Sequence, residues 1–136
     1  MIKLLVVDDD PCVRQGLRMR LGIETDLQVI GEASNGAEAL LLTVRLQPDV
    51  VLMDIEMPIM GGIAATARLH DLAPMSRVVI LSSHDSPKWR AAACAAGAFA
   101  YVSKLDMRAT LVSALRQAAD TSVHEWTPRP SINTST

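Results

Sequence analysis

Short apolar runs alternate with amphipathic segments five times along the chain, and this alternation limits the possible folds more than any other feature. The runs have the length and continuous apolar character of strands that are buried on both faces. We predict strands at residues 2–7, 27–30, 50–53, 78–81 and 99–102, and helices at 11–22, 36–47, 63–72, 87–97 and 107–119. Strict alternation with short connections predicts an α/β domain, with a doubly wound five-stranded parallel sheet in the order 2-1-3-4-5 and helices on both faces.

Local signals mark several helix ends. Asp10 followed by Pro11 favours a helix start, and Gly22 favours the end of the same helix. Asn35 followed three residues later by Glu38 resembles a capping box at the start of the second helix.

The folded part of the chain is predicted to end near residue 120. A length of 136 residues suits one domain and is too short for an eight-unit barrel. We therefore assign residues 1–120 to one domain. Residues 121–136 are polar, contain prolines and lack periodicity, so we expect a linker or disordered tail, and we favour a linker to a following domain that this chain does not include.

Composition and charge argue against several classes of protein. The formal net charge is -2 and there is no basic block, so the chain lacks a nucleic-acid footprint of its own. No apolar run approaches the roughly 20 residues that span a bilayer, and no signal peptide is recognisable, so we expect a soluble cytoplasmic protein without membrane contact. Cys12 and Cys94 lack metal or redox spacing, and we expect two small buried thiols.

Residues capable of phosphoryl chemistry follow four of the predicted strands. Asp8 and Asp9 follow the first strand, Asp54 the third, Ser82 the fourth and Lys104 the fifth. In the predicted strand order, the carboxyl ends of these strands meet at the edge where doubly wound sheets bind ligands. We therefore expect these five side chains to lie close together.

Carboxylates that lie this close need a counter-ion, because like charges raise each other's pKa. Mg²⁺ binds carboxylates, waters and phosphate oxygens, and it is the predicted cofactor. Asp54 is then a candidate nucleophile that forms an acyl phosphate, with Lys104 and Ser82 suited to phosphate oxygens. Singly, each residue has an ordinary explanation as a solvated acid, a turn serine or a surface lysine, but their joint placement favours a site.

The sequence resembles the receiver domain of two-component response regulators, a CheY-like domain with a flavodoxin-like fold. The resemblance covers roughly residues 2–119 and rests on four stretches: LVVDD at 5–9, VLMDIEMPIMG at 51–61, VILS at 79–82 and GAFAYVSK at 97–104. An aspartate followed by Met-Pro and a glycine, with an acidic pair upstream and a lysine downstream, is a highly specific combination.

The resemblance implies a role for each acidic position. Asp54 would accept a phosphoryl group from a sensor histidine kinase. Asp8, Asp9, Asp54 and the backbone carbonyl of Glu56 would hold Mg²⁺, with Asp8 acting mostly through water.

The resemblance also implies a conformational switch. Ser82 and Tyr101 stand at its hydroxyl and aromatic positions, and Lys104 stands at the phosphate-binding lysine. Phosphorylation would draw the hydroxyl towards the phosphate, turn the ring inward and change the surface of the last two helices and fifth strand, so we expect a homodimer on phosphorylation. An ordinary half-buried strand aromatic is the alternative for Tyr101.

Three features look like the NarL/LuxR-type branch, whose members carry a helix-turn-helix DNA-binding domain. They are NGAEA at 35–39, Gly97-Ala98, and a lysine followed by Leu105, where the broader family often has proline. This implies control of transcription, with DNA contacted only through the absent C-terminal domain. A stand-alone receiver acting by protein contact or phosphorelay is the alternative.

Glu56 and His84 each lie two residues after a site residue and are candidates for tuning the lifetime of the phosphate, although His84 could equally be a solvated loop residue.

Phosphatases with an aspartate nucleophile commonly carry a second aspartate where Glu56 stands, so we expect only self-phosphorylation and slow autodephosphorylation, not an enzyme. A flavin or nucleotide carrier is disfavoured because no Gly-rich phosphate loop follows the first strand. The intact set of site residues disfavours a degenerate receiver that takes no phosphate.

Overall fold

The computed structural model describes residues 1–120, and the predicted linker or tail at 121–136 lies outside the described residues. The strands are β1 Ile2–Val7, β2 Leu27–Ala33, β3 Val50–Met53, β4 Arg77–Ser82 and β5 Ala100–Ser103. The helices are α1 Pro11–Leu21, α2 Gly36–Leu46, α3 Gly62–Leu72, α4 Pro87–Ala96 and α5 Met107–Ala119. All strand pairs are parallel and the sheet order is β2-β1-β3-β4-β5, which confirms the predicted fold class and topology.

The sheet carries a hydrophobic core on each face. Leu4 and Val6 of β1 belong to the core under α1 and α5, whereas Leu5 and Val7 belong to the core under α2, α3 and α4. This follows from the strand geometry, since successive side chains point to opposite faces. Strands covered on both sides explain why the sequence shows continuous apolar runs and not alternation.

The helices are short. The longest, α5, has 13 residues. Within residues 1–120, no helix is long and apolar enough to cross a membrane.

The predicted helix starts are confirmed by their hydrogen bonds. The Asp10 side chain accepts from the Cys12 N–H at 2.9 Å, and the Asn35 side chain accepts from the Glu38 N–H at 2.9 Å. The Glu38 carboxylate turns back one residue further than in a standard capping box, because it accepts from the backbone N–H of Ser34 at 2.7 Å.

Two strands are longer than the apolar pattern predicted: β4 by one residue at each end, and β2 by three residues. β2 continues beyond residue 30 to Ala33, through Gly31 and Glu32, which interrupt the apolar run. β2 is an edge strand, so a charged side chain is tolerated there when it is paired. The Glu32 carboxylate contacts Arg14 at 3.0 Å and Arg18 at 2.9 Å.

The prediction of two buried thiols is wrong, since both cysteines are exposed. Cys12 lies in the first turn of α1, beside the helix cap. Cys94 lies on the outer side of α4, because Ala93 and Ala96 are the buried residues of that helix. Periodicity in an alanine-rich helix gave no signal for which small residue faces the sheet.

Candidate functional site

Three carboxylates converge where β1 and β3 end side by side. Asp54 directly follows β3, and its N–H donates to the carbonyl of Val7 on β1 at 3.0 Å. Asp8 and Asp9 directly follow β1. Carboxylate oxygens of these three aspartates lie within 4.8 Å of one another. The predicted convergence of Asp8, Asp9 and Asp54 is therefore present in the structure.

Asp8 is the most enclosed of the three, with 3% of its surface exposed. Its Oδ1 accepts from the Asp10 N–H at 2.9 Å, and its Oδ2 lies 3.3 Å from Lys104 Nζ. The same ammonium lies 4.0 Å from Asp54 Oδ1. Lys104, which follows β5, thus lies between the two inner carboxylates, so its predicted proximity to Asp8 and Asp54 is present in the structure.

Asp54 is electrostatically disfavoured as a carboxylate. Burial first, and the nearby charge of Asp8 second, raise its pKa to about 6. The ammonium of Lys104 and the Ile55 N–H, which donates to Asp54 Oδ1 at 2.8 Å, act in the opposite direction without cancelling the rise. The cluster therefore carries more negative charge than its own residues neutralise.

This arrangement fits a hard divalent cation. The donors are carboxylate oxygens, which Mg²⁺ prefers, and they are close enough to share one ion. Asp9 is exposed, so the cluster opens to solvent on one side. An added cation would also offset the penalty that burial and the charge of Asp8 place on the ionised form of Asp54.

The start of α3 packs directly against the backbone of Asp54. A Cβ on Gly62 would lie only 1.8 Å from the Asp54 carbonyl oxygen, so no side chain fits there. The Gly62 N–H donates to the Ile55 carbonyl at 2.7 Å. A glycine is required at this position by close approach, which fixes the turn that presents Asp54.

Ser82 is fully buried at the end of β4, the strand next to β3. Its hydroxyl accepts from the His84 N–H at 3.0 Å. Its carbonyl accepts from the Lys104 N–H at 2.9 Å, so the ends of β4 and β5 are tied together. Ser82 and Lys104 are therefore placed at the same edge of the sheet as the acidic cluster.

His84 links the loop after β4 to two other elements. Its Nε2 lies 2.7 Å from Oε1 of Glu56, which belongs to the loop that follows β3. Its ring lies 5.0 Å from that of Trp89 on α4. Its backbone carbonyl accepts from the Tyr101 hydroxyl at 2.5 Å. His84 is thus a partly exposed loop residue with three contacts, and its effect on phosphate lifetime stays a prediction.

Tyr101 lies half-buried in β5, in agreement with the ordinary description of a strand aromatic. The Arg90 guanidinium stacks over its ring at 4.7 Å from the centroid. The ring is thus held by α4 and by the loop after β4. Its role in switching stays a prediction.

A comparison with known protein families matches residues 4–116 to the response regulator receiver domain. The chain belongs to this family. Among curated relatives, the receiver domain is 38% identical over 119 residues to transcriptional regulatory protein LiaR of Bacillus subtilis, covering 88% of the chain and 56% of the relative. It is 40% identical over 117 residues to response regulator GacA of Pseudomonas aeruginosa, covering 86% and 55%. The chain spans about half the length of the curated relatives it matches.

A solved structure supports the predicted LuxR-type branch of the family. The receiver domain superposes on a LuxR-family two-component response regulator from Aurantimonas sp. SI85-9A1 with a TM-score of 0.82 and 33% identity. The match covers 86% of this chain and 84% of that one. The resemblance to receiver domains of the LuxR type is thereby confirmed.

Leu105 stands where the broader family often has proline, and the receiver domain uses its N–H. That N–H donates to the Ser103 hydroxyl at 3.2 Å, a bond that proline could not make. α5 begins two residues later at Met107, as predicted. Leu105 therefore adds a backbone hydrogen bond to this loop, and α5 begins at the predicted residue.

Sequence reasoning missed one residue that contacts the acidic cluster. Arg14 Nη1 donates to the backbone carbonyl of Asp8 at 2.6 Å. Helical side chains lean towards the N-terminus of their helix, so a long residue one turn into α1 reaches back to the end of β1. That direction was the available signal, and no short motif carries it.

Proposed function

We propose that this receiver domain accepts a phosphoryl group on Asp54 from a sensor histidine kinase and thereby controls a transcriptional output domain. One observation carries the proposal: Asp54 lies among Asp8, Asp9 and Lys104 at the carboxyl edge of the sheet. This arrangement combines a carboxylate nucleophile, a site suited to a divalent cation and a fixed cation for phosphate oxygens.

The proposed transfer is a displacement at phosphorus. An Asp54 carboxylate oxygen forms a bond to phosphorus while the bond from phosphorus to the donor histidine nitrogen breaks, and the electron pair of that bond stays on the nitrogen. The product is an acyl phosphate on Asp54. Such transfers depend mainly on position and charge neutralisation.

The residues that would hold Mg²⁺ are Asp8, Asp9, Asp54 and the backbone carbonyl of Glu56. When bound, the ion supplies neutralising charge for the carboxylates and the phosphate oxygens. The Asp8 carboxylate is held in place by the Asp10 N–H and by Lys104, so it would be the most rigidly positioned ligand. Asp9 is exposed, so it would contribute its carboxylate on the side from which the ion enters.

Lys104 and Ser82 would bind phosphate oxygens once Asp54 is modified. Lys104 already lies 4.0 Å from Asp54 Oδ1, so a small movement away from Asp8 would bring its ammonium to the phosphate. Movement of Ser82 would break the bond that its hydroxyl accepts from the His84 N–H. Because the His84 carbonyl also holds the Tyr101 hydroxyl, this would release the ring for the proposed switch.

The output of the switch is proposed to be transcriptional. The relatives named above are called regulators of transcription or response regulators, and their matched portions are about half of their length. We propose that the full-length protein carries a LuxR-type helix-turn-helix domain after residue 136, dimerises on phosphorylation and works in the cytoplasm. A stand-alone receiver that acts by protein contact or phosphorelay is the second candidate.

Glu56 and His84 are proposed to set the lifetime of the phosphate. Their 2.7 Å contact joins the loop that follows β3, which begins with Asp54, to the loop that follows β4. A closed contact would limit the access of an attacking water. Glu56→Ala and His84→Ala should therefore each speed the loss of phosphate, and loss at the parental rate in both variants would contradict this role. We propose no turnover on other substrates, only self-phosphorylation and slow autodephosphorylation.

Intact mass after incubation with phosphoramidate tests the proposed function. The parent is expected to gain one phosphoryl group in the presence of Mg²⁺ and none with a chelator. Asp54→Asn is expected to gain none in either condition. A folded parent that gains no phosphoryl group would identify a degenerate receiver and would make binding without phosphorylation the leading function.

A further inference from the structure

Arg14 makes one contact with the acidic cluster and one with the edge strand β2. Its Nη1 donates to the backbone carbonyl of Asp8 at 2.6 Å, and its Nε donates to Glu32 Oε1 at 3.0 Å. Its side chain is only 19% exposed. The guanidinium therefore joins the end of β1 to the edge strand β2.

The Asp8 carbonyl belongs to the peptide that links Asp8 to Asp9. A peptide unit is planar, so holding its oxygen fixes the direction in which the chain leaves towards Asp9. The Asp8 carboxylate has further partners in the Asp10 N–H and Lys104. Asp9 is exposed, so its carboxylate depends most on the backbone for its position.

We propose that Arg14 is a positioning residue for the acidic cluster: it holds the Asp8–Asp9 peptide in the orientation that lets the carboxylates share one divalent cation. The inference rests on the proposed Mg²⁺ site. Residues behind metal ligands that fix ligand orientation typically change metal affinity by about 10–100-fold when they are replaced.

The charge of Arg14 and its contacts predict opposite effects on Mg²⁺ affinity. A cation next to the cluster repels Mg²⁺, so an effect of charge alone would make affinity rise when Arg14 is neutralised. An effect of position would make affinity fall, because the carboxylates lose their orientation. The sign of the change therefore separates the two explanations.

Lysine should not replace arginine here. The planar guanidinium donates from Nε and Nη1 in two directions at once, to Glu32 and to the Asp8 carbonyl. A lysine ammonium keeps the charge but is a compact point donor on a flexible stem. Arg14→Lys thus removes the positioning while it preserves the charge.

Calorimetric titration of the full chain with Mg²⁺ tests the inference. Arg14→Lys and Arg14→Gln should each weaken Mg²⁺ binding about tenfold relative to the parent. Arg18→Gln is the matched control, since Arg18 also pairs with Glu32, at 2.9 Å, and has no contact with Asp8 among those found in residues 1–120. It should change the dissociation constant less than about twofold. Unchanged or tighter binding by the two Arg14 variants would overturn the inference.

Glu32→Gln provides a second test if the Arg14 variants fail to fold. Because Glu32 holds Arg14 in place, this variant should weaken Mg²⁺ binding by about threefold or more, and parental affinity would overturn the inference. Mg²⁺ binding and phosphorylation of the parent protein show whether the proposed function or the positioning role fails. A folded parent that neither binds Mg²⁺ nor takes phosphate from phosphoramidate overturns the proposed function and this inference together. A parent that does both, beside Arg14 variants of unchanged affinity, overturns the positioning role alone.

Discussion

Replacing Asp54 with asparagine is expected to stabilise the fold at neutral pH in the absence of divalent cations. Burial and the charge of Asp8 raise the pKa of Asp54 from 3.8 to about 6. The native state therefore holds this proton more tightly than the unfolded chain does. The resulting contribution to stability is fully present below the unfolded pKa of 3.8 and is lost as the pH rises through about 6.

The size of the effect follows from the width of that window. A rise from 3.8 to about 6 is worth about 3 kcal/mol, at about 1.4 kcal/mol per pH unit. The Asp54 side chain is 14% exposed, so solvent screens only part of the penalty. Asparagine has the same shape and cannot ionise. We expect Asp54→Asn to raise the free energy of unfolding by about 2–3 kcal/mol above about pH 7, and by close to zero below about pH 4.

Urea denaturation followed by circular dichroism, with a chelator present, measures this difference at both pH values. The control is Asp71→Asn, which makes the same chemical change at an exposed position of α3 and should stay within about 0.5 kcal/mol of the parent. Equal stability of Asp54→Asn and the parent at neutral pH would refute the electrostatic reasoning. A gap that persists unchanged at low pH would refute it too, since a packing effect would not titrate.

Three further substitutions test local features of the fold. Gly62→Ala places a Cβ 1.8 Å from the Asp54 carbonyl oxygen and should cost more than about 3 kcal/mol in thermal unfolding, whereas Gly16→Ala, with open space around its Cβ, should be neutral or stabilising. Tyr101→Phe loses one hydrogen bond to the loop after β4 and should lower the free energy of unfolding by about 1 kcal/mol in urea; parental stability would contradict that contact. Arg77 donates to two carbonyls at the end of α5, at 3.2 and 3.3 Å, so Arg77→Ala should speed hydrogen exchange in the last turn of α5, and unchanged exchange would contradict this.

The fold could be predicted because its signals are local and agree with one another. Apolar runs, the Asp10 and Asn35 caps and the glycine after α4 each mark one boundary, and strict alternation leaves few topologies. The end of β2 could not be predicted in this way. Glu32 interrupts the apolar run in the sequence, but its backbone pairs with Val6 of β1 and its carboxylate is paired by Arg14 and Arg18.

The candidate site was predictable to the extent that topology alone positions it. Asp8, Asp54 and Lys104 follow the parallel strands β1, β3 and β5, whose carboxyl ends lie at the same edge of the sheet. Their convergence therefore needs no knowledge of side-chain conformations. Contacts between side chains of different elements were beyond such reasoning. The His84 contact with Glu56 depends on rotamers that no sequence pattern specifies, and the Arg14 bond to the Asp8 carbonyl was signalled only by the direction in which helical side chains lean.

The two inner carboxylates differ in how the fold treats them, and this difference suits the chemistry proposed for each. Asp8 receives the Asp10 N–H and the closer approach of Lys104, 3.3 Å against 4.0 Å for Asp54. Asp54 is left with a raised pKa and therefore gains most from an added cation. The same electrostatic penalty that lowers the stability of the fold at neutral pH favours Mg²⁺ binding at the residue proposed to react. If so, Asp54→Asn should be the more stable protein and the inert one, because stability and function make opposite demands on a single carboxylate.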